Sequence, residues 1–79
     1  MSNLVKYKKA FKDSLSIKDN LINDKLEYES VPEWDSIGHM SLMSSIEQAF
    51  KISINTDDVV DFSSFKKGKL ILKKYKVKI

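Results

Sequence analysis

The stretch VPEWDSIGHMSLMSSIEQAF, Val31 to Phe50, holds the decisive boundary in this chain. Pro32 restricts Val31 and ends whatever precedes it. Asp35 and Ser36 are both capable helix N-caps. Beyond them Met40, Leu42, Met43, Ile46, Ala49 and Phe50 share one broad face at about 100° per residue, which predicts an amphipathic helix. Ile37 falls outside that arc, so an isoleucine one residue from the helix start is a candidate partner contact. The helix should stop near Lys51, where Ile52-Ser53-Ile54 reads as an extended link.

Working outward, helix dominates. Two glycines and one proline leave few breakers, and period-two alternation is scarce. Ser2 or Asn3 caps a first helix of about three turns, with Leu4, Tyr7, Phe11 and Leu15 on its stripe and Lys8 the polar exception. Residues 16–35 read as a long connection with apolar residues scattered among Asp, Asn, Glu and Ser. Short helical turns fit within it, at Lys18–Ile22 for example. Connections this long in small domains tend to be functional. A short third helix fits Asn55–Asp61, where Asp57 and Asp58 in the first turn suit the helix dipole. A fourth starts at Ser63 or Ser64, with Phe65, Gly68, Leu72 and Tyr75 inward and most of its lysines outside. The expected fold is all-α: one domain over residues 1–79, a small four-helix bundle with a long first loop and a short third helix.

Composition narrows the function classes. Seventy-nine residues leave little room for a deep cleft. The absence of cysteine removes disulfides and thiolate metal sites and fits the cytoplasm. No apolar run is long enough to span a bilayer, so no membrane insertion is expected, and the N-terminus, lacking a signal-peptide apolar core, is read as part of the fold. The net charge of +3 is unevenly distributed: residues 1–18 carry +4, residues 19–61 carry −8 and residues 62–79 carry +7. Basic ends admit a membrane- or nucleic-acid-binding module, but arginine, the favoured reader of phosphates and guanine, is absent. Solvated lysine faces on two helices are the preferred reading, with no nucleic acid partner.

Asp35, Ser36 and His39 place an acid, a hydroxyl and an imidazole within five residues. Ser36 and His39 share a helix face, but Asp35, adjacent to Ser36, points about 100° away and is badly placed to orient His39. A Gly-x-Ser-x-Gly elbow is missing. A lone histidine with scattered carboxylates makes no metal site, and Thr56-Asp57-Asp58 lacks the calcium-loop pattern. A serine at a helix start, surrounded by free N–H groups, is instead a good place for an anion. Phosphorylation and a phosphodiester-linked prosthetic group both satisfy that physics.

Asp35-Ser36-Ile37, opening a helix in mid-chain, resembles the Asp-Ser-Leu motif of acyl carrier proteins. Trp34 to Met40 resembles the form found in some stand-alone carriers. Ser45-Ile46-Glu47-Gln48-Ala49-Phe50 is similar to the family's end of helix II. Ile52, Ile54 and Thr56-Asp57-Asp58-Val59 are similar to its link and third helix, and Ser63-Ser64-Phe65 to the entry of its last helix. The resemblance implies a carrier that is not itself an enzyme. A phosphopantetheinyl transferase, with magnesium, would attach 4′-phosphopantetheine to Ser36, aided by Asp35. The arm's thiol would carry an acyl or aminoacyl group to partner enzymes, contacted through Ile37, Met40 and Glu47. The partners expected are the transferase, a cargo-loading enzyme and a downstream synthase or transferase, met by a monomer in the cytoplasm. The chain departs from the family in being basic overall and in having few acids on its second helix. That favours a specialised pathway over housekeeping fatty-acid synthesis, a D-alanine carrier among the options. The alternative is a non-carrier interaction module, either phosphoserine-regulated or bound through its basic ends. Trp34 is read as packing under the loop, and Met40 and Met43 as core or rim. His39 is read as a solvated helix residue, its functional alternative being a place beside a phosphate on Ser36.

Overall fold

Side-chain caps start all four α-helices of the computed structural model, which describes residues 2–79. The Ser2 hydroxyl accepts from the Val5 N–H and opens α1, Asn3–Leu15. Asp35 accepts from the Gly38 N–H and opens α2, Ser36–Phe50. Asn55 accepts from Asp58 to open α3, Thr56–Asp61, and Ser64 from Lys67 to open α4, Phe65–Lys74. Each cap satisfies an N–H that the helix itself leaves without an acceptor. α1 and α2 end on Ser16 and Lys51 in the left-handed region, each donating its N–H back into the last turn. Among the described residues there is no strand, only an isolated antiparallel bridge between Glu27 and Ser64. Among the described residues no helix is long and apolar enough to cross a membrane.

These elements form a compact, mostly helical domain around an aromatic cluster. Tyr7 and Phe11 of α1 meet Phe65 of α4 with ring centroids 4.7 and 5.1 Å apart, and Phe11 meets Trp34 edge-on at 5.3 Å. α2 adds Leu42, Met43 and Ile46. The buried Tyr7 hydroxyl donates to the Phe65 carbonyl at 2.7 Å, and burial, with the charge of Asp24 adding to it, pushes that hydroxyl's pKa far up. Such close packing requires Gly68. A Cβ there would lie 2.1 Å from the Tyr7 oxygen and 2.2 Å from a Phe62 ring carbon. Neither glycine of this chain serves a positive φ.

The connection from Ser16 to Asp35 holds one short 3-10 turn, Asp19–Leu21, and is packed rather than loose. Ile17, Ile22, Leu26 and Trp34 are buried in the core, whereas Leu21 is exposed. Two backbone bonds tie the connection to the start of α4: Phe65 N–H to Leu26 C=O at 2.9 Å, and Tyr28 N–H to Ser63 C=O at 2.8 Å.

Helical spacing misplaces Leu4, Met40 and Tyr75. Leu4, expected on the α1 stripe, is exposed near the helix start, and Met40, within the expected α2 face, is also exposed. Asp58, expected to suit the α3 dipole from the first turn, is there but is also buried. Its carboxylate pairs with Lys74 and accepts from the Tyr75 hydroxyl at 2.6 Å, while the Tyr75 oxygen accepts from the Asn55 N–H at 3.0 Å. Tyr75 therefore stands half-buried on this network instead of deep in the core.

Hydrogen bonds from Lys74 and then Tyr75 hold the Asp58 carboxyl below its ordinary pKa of 3.8, and the same carboxylate holds Lys74 above 10.5. The lowered carboxyl stabilises the fold above pH 3.8, and this contribution fades as pH falls through its folded value. The raised ammonium stabilises it below pH 10.5 and loses that effect as pH rises through its folded value. Asp58→Asn should lower the urea midpoint at neutral pH, with the gap from the wild type closing at both extremes, as read from urea titrations across pH. Gly68→Ala should cost about 1–3 kcal/mol by overpacking, measured by the same titration at neutral pH.

Candidate functional site

Trp34 is fully buried just before α2, where its indole N–H, a donor with no acceptor capacity, needs a partner. It donates to His39 Nδ1 at 2.9 Å. That bond fixes the tautomer: His39 carries its hydrogen on Nε2 and donates to the Val59 carbonyl at 2.8 Å. The two rings stack at 22°, 6.1 Å between centroids. His39 is thus a half-buried connector between the loop, α2 and α3, and the expectation of a solvated helix residue is overturned. An i to i+5 contact across a helix cap has no signature in hydrophobic spacing.

On this scaffold Ser36 is the exposed first residue of α2. Its hydroxyl lies 3.1 Å from the Tyr28 hydroxyl. Tyr28 is held edge-on against both Trp34 and His39, at 6.2 and 5.5 Å between centroids. The sequence reading missed Tyr28 as a site residue. It lies eight positions upstream in an irregular segment, and no local pattern pointed to it. Asp35 turns Oδ1 back to the Gly38 N–H at 2.8 Å, so its carboxylate serves the helix start. The His39 N–H continues the helix to the Asp35 carbonyl. The N–H groups of Ser36 and Ile37 have no protein acceptor among the described residues. The geometry therefore does not join Asp35, His39 and Ser36 in a relay. It presents a hydroxyl to solvent beside two unpaired N–H donors and a phenol.

Gly38 makes this turn possible. A Cβ at Gly38 would lie 2.2 Å from the Glu33 carbonyl oxygen and 3.0 Å from Leu15. The chain entering α2 passes directly over the helix's first turn, and only a residue without a side chain fits beneath it.

The expected partner contacts divide. Ile37 is 82% exposed and Met40 is 62% exposed, one turn apart on α2. Glu47 is half-buried, and its Oε2 accepts the Ile54 N–H at 2.8 Å, holding the link between α2 and α3. Met43, read as core or rim, is buried in the core. A groove of about 250 Å³ beside the site is lined by Tyr28, His39, Val59, Val60, Phe62 and Ser63. Val59 also lines a second groove, with Met40, Met43 and Glu47, so an apolar seam runs between α2 and α3. No protein-family model, curated protein or solved structure matches the chain.

Gly38→Ala should destabilise the protein by about 1–3 kcal/mol despite alanine's better helix propensity, because the clash is with backbone. Chemical denaturation checks the magnitude, and amide exchange should show faster opening at residues 33–39.

Proposed function

We propose that this chain is an acyl or aminoacyl carrier, a small four-helix bundle whose Ser36 accepts 4′-phosphopantetheine. The observation that carries the reading is the setting of Ser36. It is an exposed hydroxyl on the first residue of a 15-residue helix, followed within a turn by exposed Ile37 and Met40. The resemblance of Asp35-Ser36-Ile37 and its flanks to the acyl carrier family points the same way.

The residues fit the group. A phosphodiester is an anion, and the α2 N-terminus offers it the dipole and the unpaired N–H groups of Ser36 and Ile37. The Tyr28 hydroxyl, 3.1 Å from Ser36 Oγ, is placed to donate to a phosphate oxygen. In attachment, Ser36 Oγ forms the new bond to phosphorus within a partner transferase. The bond from that phosphorus to the nucleotide portion of coenzyme A breaks, and the serine proton passes to a base on the transferase. Asp35 keeps Oδ1 on the helix cap and is exposed, so its carboxylate would be open to a transferase-bound magnesium. The bound group supplies a thiol for thioester carriage to a chain that has no cysteine of its own.

The chain itself catalyses nothing in this reading and works as a cytoplasmic monomer. Ile37 and Met40 offer apolar contacts to the transferase, the loading enzyme and the downstream synthase or transferase. From Ser36 to Phe50 the one acid is Glu47, which is engaged by the Ile54 N–H. Partners would therefore read an apolar helix start more than a row of acids, which favours a specialised pathway.

Incubation with coenzyme A, magnesium and a broad-specificity phosphopantetheinyl transferase should add the mass of one phosphopantetheine, read by intact mass spectrometry. Ser36→Ala should show no gain. An unmodified wild type, or an equal gain in the variant, would count against the carrier reading.

A further inference from the structure

Leu70 stands at the centre of the solvent face of α4 and is 53% exposed. The four positions adjacent to it on a helix surface lie three and four residues before and after. All four are lysines, Lys66, Lys67, Lys73 and Lys74, and all four are exposed. Lys74 is tied to Asp58, and Lys69, nearby, to Asp24 at 2.9 Å. Lys66, Lys67 and Lys73 pair with no carboxylate among the described residues. From Phe62 to Ile79 there are seven lysines and no acid. A separate groove, between the start of α1, the connection and α4, is lined by Leu4, Lys8, Asp24, Lys25, Phe65 and Lys69, so the unpaired lysines around Leu70 belong to α4 alone.

We propose that this face of α4 docks on an anionic phospholipid bilayer, with the lysines at the headgroups and Leu70 entering the interface. Charge complementarity selects the partner: unpaired lysines around an exposed leucine match a surface that is negative and apolar just beneath. Lysine's long stem lies along such a boundary while its ammonium stays in water. The attraction grows with each lysine near the surface and is screened by salt. A nucleic acid fits the face less well. The chain has no arginine, and no aromatic side chain is among its exposed large apolar residues, so a base finds no ring to stack on. The binding is peripheral, since among the described residues no helix is long and apolar enough to cross a membrane. It is independent of the role of Ser36, which lies on α2.

The test is co-sedimentation of the full chain with vesicles of phosphatidylcholine alone and with phosphatidylglycerol added. Binding is expected only with phosphatidylglycerol at low ionic strength, and it should be released by salt. Joint Lys66→Gln, Lys67→Gln and Lys73→Gln substitution should weaken it on the order of a hundredfold. Leu70→Gln should weaken it about tenfold without changing the salt dependence. These side chains point to solvent, and circular dichroism verifies that each variant is folded. No binding to phosphatidylglycerol vesicles at low salt overturns the proposal, as does binding that survives the triple substitution. Equal affinity for duplex DNA or single-stranded RNA, with Leu70→Gln without effect, reassigns the face to nucleic acid and overturns it too.

Discussion

The arrangement of this small domain depends on how one buried donor is satisfied. Trp34 places its whole indole in the core, and an unpaired N–H there would be costly. His39 Nδ1 accepts it, which orients the imidazole and sends its Nε2–H to Val59. One side-chain bond thereby sets the end of the long connection, the first turn of α2 and the approach of α3. Other features follow from that constraint. The Glu33 carbonyl is forced close over Gly38, and the Tyr28 ring, packed edge-on against Trp34 and His39, delivers its hydroxyl to Ser36. A histidine that first looks like a base beside a serine is instead part of the frame that holds the serine at the surface.

Charge is organised by packing as much as by sequence. The two basic ends of the chain are far apart in sequence, yet α1 meets α4 through the Tyr7 hydroxyl on the Phe65 carbonyl and meets the segment after α4 through Asn3 on the Lys78 carbonyl. Packing thus joins the basic N-terminal helix to the basic C-terminal one. Among the described residues, the acidic middle pairs with the α4 lysines at two points, Asp24 with Lys69 and Asp58 with Lys74. The first pair joins an exposed carboxylate to a half-buried lysine, stays open to solvent on one side and contributes little. The second draws on a buried carboxylate that also receives the Tyr75 hydroxyl, so it fastens α3 to the end of α4. In the proposed carrier, the Ser36 region and the lysine face would then meet different partners.

Where helical spacing misled at Met40 and Leu4, a covering neighbour was wanting. A helical stripe assumes that every residue within an arc meets a neighbour, but α2 is covered only where α1 and the loop reach it. Met40 therefore stays in solvent although its angle suits the core, and Leu4 does likewise near the start of α1. Asp58 differs in the opposite sense, being buried. Its position in the first turn of α3 is a good site for a dipole-complementing acid, but its cationic partner is supplied sixteen residues later. Glu47, matched by resemblance to a partner contact, also holds the backbone of the following link.

The sequence by itself determined the features that depend on near neighbours. Four caps, the proline before α2, the period of the apolar residues and the place of Ser36 at a helix start are all set by contacts within about one turn. The segregation of charge along the chain was equally legible, being a property of composition. Only the tertiary structure decided that Trp34 and His39 bond across the helix cap, that Tyr28 is the polar neighbour of Ser36, that Asp58 is buried and that both glycines serve close approach. Each of these depends on which atoms from distant segments compete for the same small volume. That competition is resolved only when the long connection packs against α1, α2 and α4 together.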